Sequence, residues 1–327
     1  MPSYSGVWTL PAQYQAIGLN NWPSPPLVAR GLFNGGYNGS STTSAIQYIE
    51  IATTGNATSF GNLSTTIQYS SACASSTRGV IFTGATSSNT SDGVNTMQYV
   101  TISTTGNSTF FGDLQALKNY YSAACNSATR GLITGGNGNY NTIVYITIAT
   151  TGDAASFGNI GGADLIERQA SCSSSTRGLF AGGTDINTGS AVDRIMYSTI
   201  ATLGAATTFG TLSGLRTAMA ACSSSTRGVF GGGQLAGTVY NIIEYVTIAT
   251  TGNDTDFGDL TAARRSLAGC SSAVRGVFGG GGDTGGTPQS NINYITIATT
   301  GDATNFGNLI TAVTWVSGLS NNNGGTL

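Results

Sequence analysis

The chain contains no histidine. That removes the commonest general base at neutral pH and the commonest metal ligand, and it weighs against most enzyme classes. Charge is scarce too: twelve Lys+Arg and fourteen Asp+Glu make only 8% of 327 residues, where about 25% is usual. A net charge of −2 provides no basic field for phosphates, so no nucleic-acid partner is expected. The charge-free stretch 51–77 consists largely of Ser, Thr, Gly and Asn, so no membrane span is expected. Met1 to Gly6 has neither a basic nor an apolar run, so no secretion signal is expected. Glycine, by contrast, is plentiful at 48 residues, about twice its usual share. Hydrophobic residues at 39% suffice for a core.

The glycines, serines and threonines recur in a fixed order. Arg-Gly appears at Arg30, Arg78, Arg130, Arg177, Arg227 and Arg275, spaced 48, 52, 47, 50 and 48 residues apart. A tyrosine follows each, at Tyr48, Tyr99, Tyr145, Tyr197, Tyr245 and Tyr294, and then a Phe-Gly pair at Phe60, Phe111, Phe157, Phe209, Phe257 and Phe306. Five cysteines, Cys73, Cys125, Cys172, Cys222 and Cys270, each stand five residues before an arginine. The chain is thus six copies of a unit of about 49 residues.

Each copy reads as four short strands. Around Arg227 these are Met219 to Ser223, Gly228 to Phe230, Ile243 to Thr250 and Asp256 to Leu260, separated by Ser-Ser-Thr, Gly-Gly-Gly and Thr-Gly-Asn turns. The third is rich in β-branched residues, which fit a pleated surface. Asn in the repeated Thr-Gly-Asn turn is expected at positive φ. No stretch sustains a 3.6-residue apolar period with caps, so helices should be scarce. Four strands per unit at this period predict an all-β, six-bladed β-propeller with antiparallel blades over 28–327, preceded by a closure or extension segment over 1–27. Blade one lacks a Cys-bearing first strand. Trp315 to Ser320 is expected to supply it, with Tyr14 to Leu19 as the rival.

Gly182-Gly183, Tyr197 and Phe209 together resemble the kelch repeat, with Phe where kelch units usually carry Trp. The fuller wording of residues 294–307 looks like a kelch-like repeat found in structural proteins of tailed phages, notably those infecting marine cyanobacteria. The likeness spans about residues 28 to 310. It implies a non-enzymatic virion component of the tail, fibre or capsid surface, assembled in the host cytoplasm, with other virion proteins as partners and a host-surface polysaccharide as a further one. A cellular lectin-like or scaffold propeller is the competing class, and a glycoside hydrolase running on carboxylates alone comes third. No cofactor or metal is expected. The copper-radical chemistry known on kelch propellers needs histidines, and sialidase-type Asp-box wording is absent.

The remaining chemistry has a plain structural reading beside each functional one. Five cysteines at equivalent positions of successive blades stand too far apart for disulfides, so buried free thiols are expected. The six arginines are read as architecture, each donating to carbonyls of its own or the next blade, against an alternative ring that holds anions. Asp254, Asp256 and Asp259 are read as solvated turn carboxylates rather than calcium ligands. The loops between second and third strands differ most between copies, and recognition is expected on their face. Its candidate binding residues are Tyr37, Asn38, Ser88-Asn89, Asn137, Tyr140 and Asp185.

Overall fold

The computed structural model describes residues 28–87, 93–114, 120–136, 141–161 and 165–326, and these contain no helix. Among the described residues there are six four-stranded antiparallel sheets. The sheet around Arg227 comprises Ala220–Ser223, Arg227–Gly231, Ile242–Thr247 and Thr255–Asp259. Its register sets Cys222 opposite Val229 and Val229 opposite Tyr245. The third strand stops at Thr247, before the Thr250 expected from sequence, because the Thr250 N–H turns back to the Thr247 carbonyl. The third and fourth strands carry a register shift at the same step in all six sheets, for example between Ile243 and Glu244. A bulge here twists the outer hairpin of each sheet in the same way.

The first sheet takes its first strand from the far end of the chain. Ser317–Ser320 pairs antiparallel with Arg30–Asn34, Leu319 facing Leu32, in the role the cysteine strands play elsewhere. The rival segment Tyr14 to Leu19, with the rest of 1–27, lies outside the described residues.

Six apolar clusters hold the sheets together, each drawn mainly from two neighbours. One joins the sixth sheet to the first, setting Phe306, Val313 and Val277 against Phe33, Ile49 and Ile51. The repeated cysteine and the repeated Arg-Gly glycine explain each other. A Cβ added to Gly228 would collide with the Cys172 thiol of the preceding sheet, and Gly31, Gly131, Gly178 and Gly276 meet Cys270, Cys73, Cys125 and Cys222 likewise. Gly79 meets Leu319 instead, the residue that replaces cysteine in the first sheet. Cysteine here is a small apolar plug for a glycine notch.

The polar residue after Cys125, Cys172, Cys222 and Cys270, and after Leu319, is also accounted for. First strands of neighbouring sheets lie side by side, where their edges have no ladder partner. The Asn126 N–H donates to Ser173 Oγ, Ser173 N–H to Ser223 Oγ, Ser223 N–H to Ser271 Oγ and Ser271 N–H to Ser320 Oγ, at 3.0–3.4 Å. A short polar side chain thus satisfies an edge that would otherwise be unpaired.

Candidate functional site

The turns joining first to second and third to fourth strands share one face of the assembly of sheets; the other loops share the opposite face. On the turn face every unit repeats one device. Nη1 of Arg30, Arg78, Arg130, Arg177, Arg227 and Arg275 donates to the carbonyl of Ile102, Ile148, Ile200, Ile248, Ile297 and Ile51, each in the next sheet, at 2.9–3.2 Å. Each guanidinium also lies 4.3–4.9 Å over its own sheet's tyrosine. That tyrosine meets the Phe of Phe-Gly nearly edge-on at 5.9–6.2 Å. An Nη1 donor bonded to the next sheet's carbonyl and a guanidinium face against a ring make the arginines clamps between sheets.

The Thr-Gly-Asn turns are clamps as well, which corrects the expected conformation. No turn Asn is among the described non-glycine residues with positive φ. Its side chain instead bonds across the sheet boundary: Asn107 Oδ1 accepts from Asn62 N–H, Asn253 from Thr211 and Asn56 from Asn308, at 2.9–3.1 Å. Asp153 and Asp302 do the same for Asp113 and Asp259. The carboxylates called solvated are partly engaged too: Asp254 Oδ2 accepts from Ser213 N–H at 3.0 Å, and burial raises its pKa. No three His, Cys, Asp or Glu residues among those described are grouped to hold a metal. The five thiols are buried and unpaired, and desolvation pushes those of Cys172 and Cys270 up to about 12.

Of the expected binding residues on the loop face, Ser88, Asn89, Asn137 and Tyr140 lie outside the described residues. The three that are described chiefly hold their own loops. Half-buried Tyr37 donates its hydroxyl to the Gly39 carbonyl, and exposed Asn38 Oδ1 accepts from Ser40 and Ser41 N–H. Asp185 is buried, pairs with Ile166 in a small added sheet, and accepts from Asn187 N–H and Thr188 Oγ1.

The structure gathers a different set at the centre of the loop face. Tyr69, Tyr121, Arg168, Ala218, Ser266 and Trp315 stand at the entry to the six first strands, all with φ between 56° and 62°. Each left-handed non-glycine residue costs about 1–2 kcal/mol. Together they close a hydrogen-bonded circle: the N–H of Tyr121 donates to Tyr69, Arg168 to Tyr121, Ala218 to Arg168, Ser266 to Ala218, Trp315 to Ser266 and Tyr69 to Trp315, at 2.7–3.2 Å. In this conformation the N–H serves one neighbour and the carbonyl the other. Glycine would fill the same role without the cost, yet none of the six is glycine. Strain of this kind concentrates where side chains carry function.

The six side chains are of five kinds. Tyr69 lies 4.3 Å from Tyr121 and 4.8 Å from Trp315, ring centre to centre, and Tyr121 lies 5.2 Å from Trp315. Arg168 stacks 4.1 Å over Tyr121 and 5.5 Å from Trp315. Its Nε meets Glu167 at 3.2 Å. Ala218 and Ser266 fill the other side of the circle. Below it a narrow axial well runs between the first strands, walled by small residues such as Ala124, Ser171, Ala221 and Gly269. At the turn face the well is closed: Asn323 Oδ1 accepts from Asn126 Nδ2, and the Gly324 N–H donates to the Ser223 carbonyl. Among the described residues the well therefore opens through the aromatic circle.

Sequence reasoning passed over this circle. Its signal was present: four residues before Cys73, Cys125, Cys172, Cys222 and Cys270 stand Tyr, Tyr, Arg, Ala and Ser, so the position varies while the cysteine does not. Comparison with known proteins adds nothing to the geometry, for no family model and no curated protein matches the chain.

Proposed function

We propose that the six sheets are the blades of a closed, kelch-like β-propeller, and that the chain is a non-enzymatic virion component of a tailed phage, a rigid disc that docks other virion proteins or a host-surface polysaccharide through its loop face. The observation that carries this reading is the contrast between the two ends of the axis. One end repeats an arginine clamp in all six sheets and an asparagine or aspartate clamp in five, with an Nη1 donor or a side-chain acceptor of each bonded to a neighbouring sheet. The other end presents side chains of five kinds on a strained circle at the mouth of a well. Binding without turnover fits the described carboxylates, which are largely engaged: Glu244 with Arg216 and Ser213, Glu167 with Arg168, Asp185 with its own turn.

The virion assignment rests on the kelch-like wording of residues 294–307. It is tested by purifying tailed-phage particles that encode the chain and identifying their proteins by mass spectrometry. The chain is expected among them at a fixed copy number. Its absence from purified particles, with expression in infected cells, would overturn the assignment and favour a cellular scaffold.

A further inference from the structure

The aromatic circle has a composition that points to a ligand. Three rings line one side, and one cation, Arg168, stacks against two of them. Two buried polar side chains at the same opening lack hydrogen-bond partners: Gln169 Nε2, on a residue 8% exposed, and Ser266 Oγ, on a residue 6% exposed. Burying a donor without a partner is costly, and unpaired groups of this kind call for a partner. Gln169 Oε1 already accepts from Thr134 Oγ1 at 3.5 Å, which leaves its amide as a donor. The opening thus offers ring faces, a guanidinium, an amide N–H and a hydroxyl. Only Arg168 among the six circle residues is charged, and its partner Glu167 meets it through Nε, so the fork of Nη donors is not spent on that contact.

We propose that this opening binds the terminal residue of a carboxylate-bearing glycan, a uronic or sialic acid. The Arg168 fork pairs with the carboxylate, as a planar guanidinium does best. Trp315, Tyr69 and Tyr121 cover the apolar C–H face of the sugar. Gln169 Nε2 and Ser266 Oγ take hydroxyl oxygens and gain the partners they lack. Among the described residues the well beneath is crossed at its far end by Asn323, so a chain end enters and a mid-chain residue does not pass through. The proposal rests on the loop face being the recognition face, and names the class of ligand recognised there.

The test titrates the full chain with methyl glucuronide and with the methyl glycoside of N-acetylneuraminic acid, using methyl glucoside as the neutral control. Saturation-transfer NMR and calorimetry read binding. At least one acidic glycoside is expected to bind about tenfold or more tightly than the neutral one, equivalent to one well-formed charged pair. Arg168→Gln should remove that preference, and Arg168→Lys should restore part of it. Trp315→Gly should abolish binding without lowering the melting temperature, because glycine accepts the left-handed backbone. Equal binding of neutral and acidic sugars, or acidic binding unchanged in both Arg168→Gln and Trp315→Gly, would overturn the proposal. So would no saturable binding of either acid, and so would an aspartate-rich peptide that binds the wild-type opening more tightly than the sugars, which would make a protein the occupant. Particle mass spectrometry is independent of these outcomes: the chain found in particles with no sugar bound sinks the glycan site and leaves the virion reading intact.

Discussion

The two ends of the axis solve the same packing problem with different freedom. At the turn face, Arg78, Arg130 and Arg177 occupy one position in successive units and make the same bonds to the next sheet. At the loop face, Tyr69, Tyr121, Arg168, Ala218, Ser266 and Trp315 also occupy one position and make the same backbone bonds, but their side chains range from aromatic rings to a cation, a hydroxyl and a methyl. Where the side chain itself forms the joint, repetition is enforced. Where the backbone forms the joint, the side chain is free to serve something else. Conformational strain marks the second case, since a position needing only the joint would be filled most cheaply by glycine.

Breaking the comparison starts at the repeated joints. Gly228→Ala forces a Cβ onto the Cys172 thiol, and overpacking of this kind costs about 1–3 kcal/mol. The double variant Gly228→Ala with Cys172→Ala should recover much of that loss in a denaturant melt, because the two residues share one notch. Additive losses would mean that the notch is not what the glycine serves.

Arg177→Ala comes next. It removes donation to the Ile248 and Ala249 carbonyls and the contact over Tyr197, and should cost about 1–2 kcal/mol, given partial solvent exposure. Ligand binding at the loop face should survive it. Selective loss of binding with an unchanged melt would make the arginines a recognition ring instead.

Alkaline pH probes the thiols. Burial raises the folded pKa of Cys172 from 9.0 to about 12. The neutral thiol is therefore favoured in the fold, and its contribution is fully present below pH 9. It declines as pH rises from 9 towards 12, because the unfolded chain releases its proton first. Relative to Cys172→Ala, the wild type should lose up to about 1.4 kcal/mol of stability per pH unit in that window. Parallel pH profiles would contradict burial of this thiol.

The smallest effect falls on the strained circle. Ala218→Gly relieves the left-handed cost at the expense of a more flexible unfolded chain, for a net gain of about 0.5 kcal/mol. A clear loss would show that Ala218 is not strained.

The periodic features were legible in sequence because each is a side chain doing one job in every unit. Arg, Cys, Tyr and Phe-Gly gave the six units and their strands, and the unmatched Trp315 to Ser320 gave the strand that completes the first sheet. The reason for the arginine-linked glycines was not legible, since their partner thiols lie a whole unit away. The turn asparagines were misread for the same cause: a local rule for Gly-Asn turns gave way to an acceptor contact in the neighbouring sheet. The circle at the axis was hidden most deeply. Its members are alike only in φ, a property that Tyr, Arg, Ala, Ser and Trp do not advertise. Loop length and loop aromatics drew attention to Tyr37 and Asp185, whose polar atoms serve their own turns.

The central claim is that recognition runs through the strained circle and not through the clamped turns. Cryo-electron microscopy of the protein within its assembly tests it most directly. Partner or glycan density is expected over Tyr69, Tyr121, Arg168 and Trp315, with the Ser-Ser-Thr-Arg turns making no asymmetric contact. Density that engages those turns while the aromatic circle faces open solvent would contradict the account.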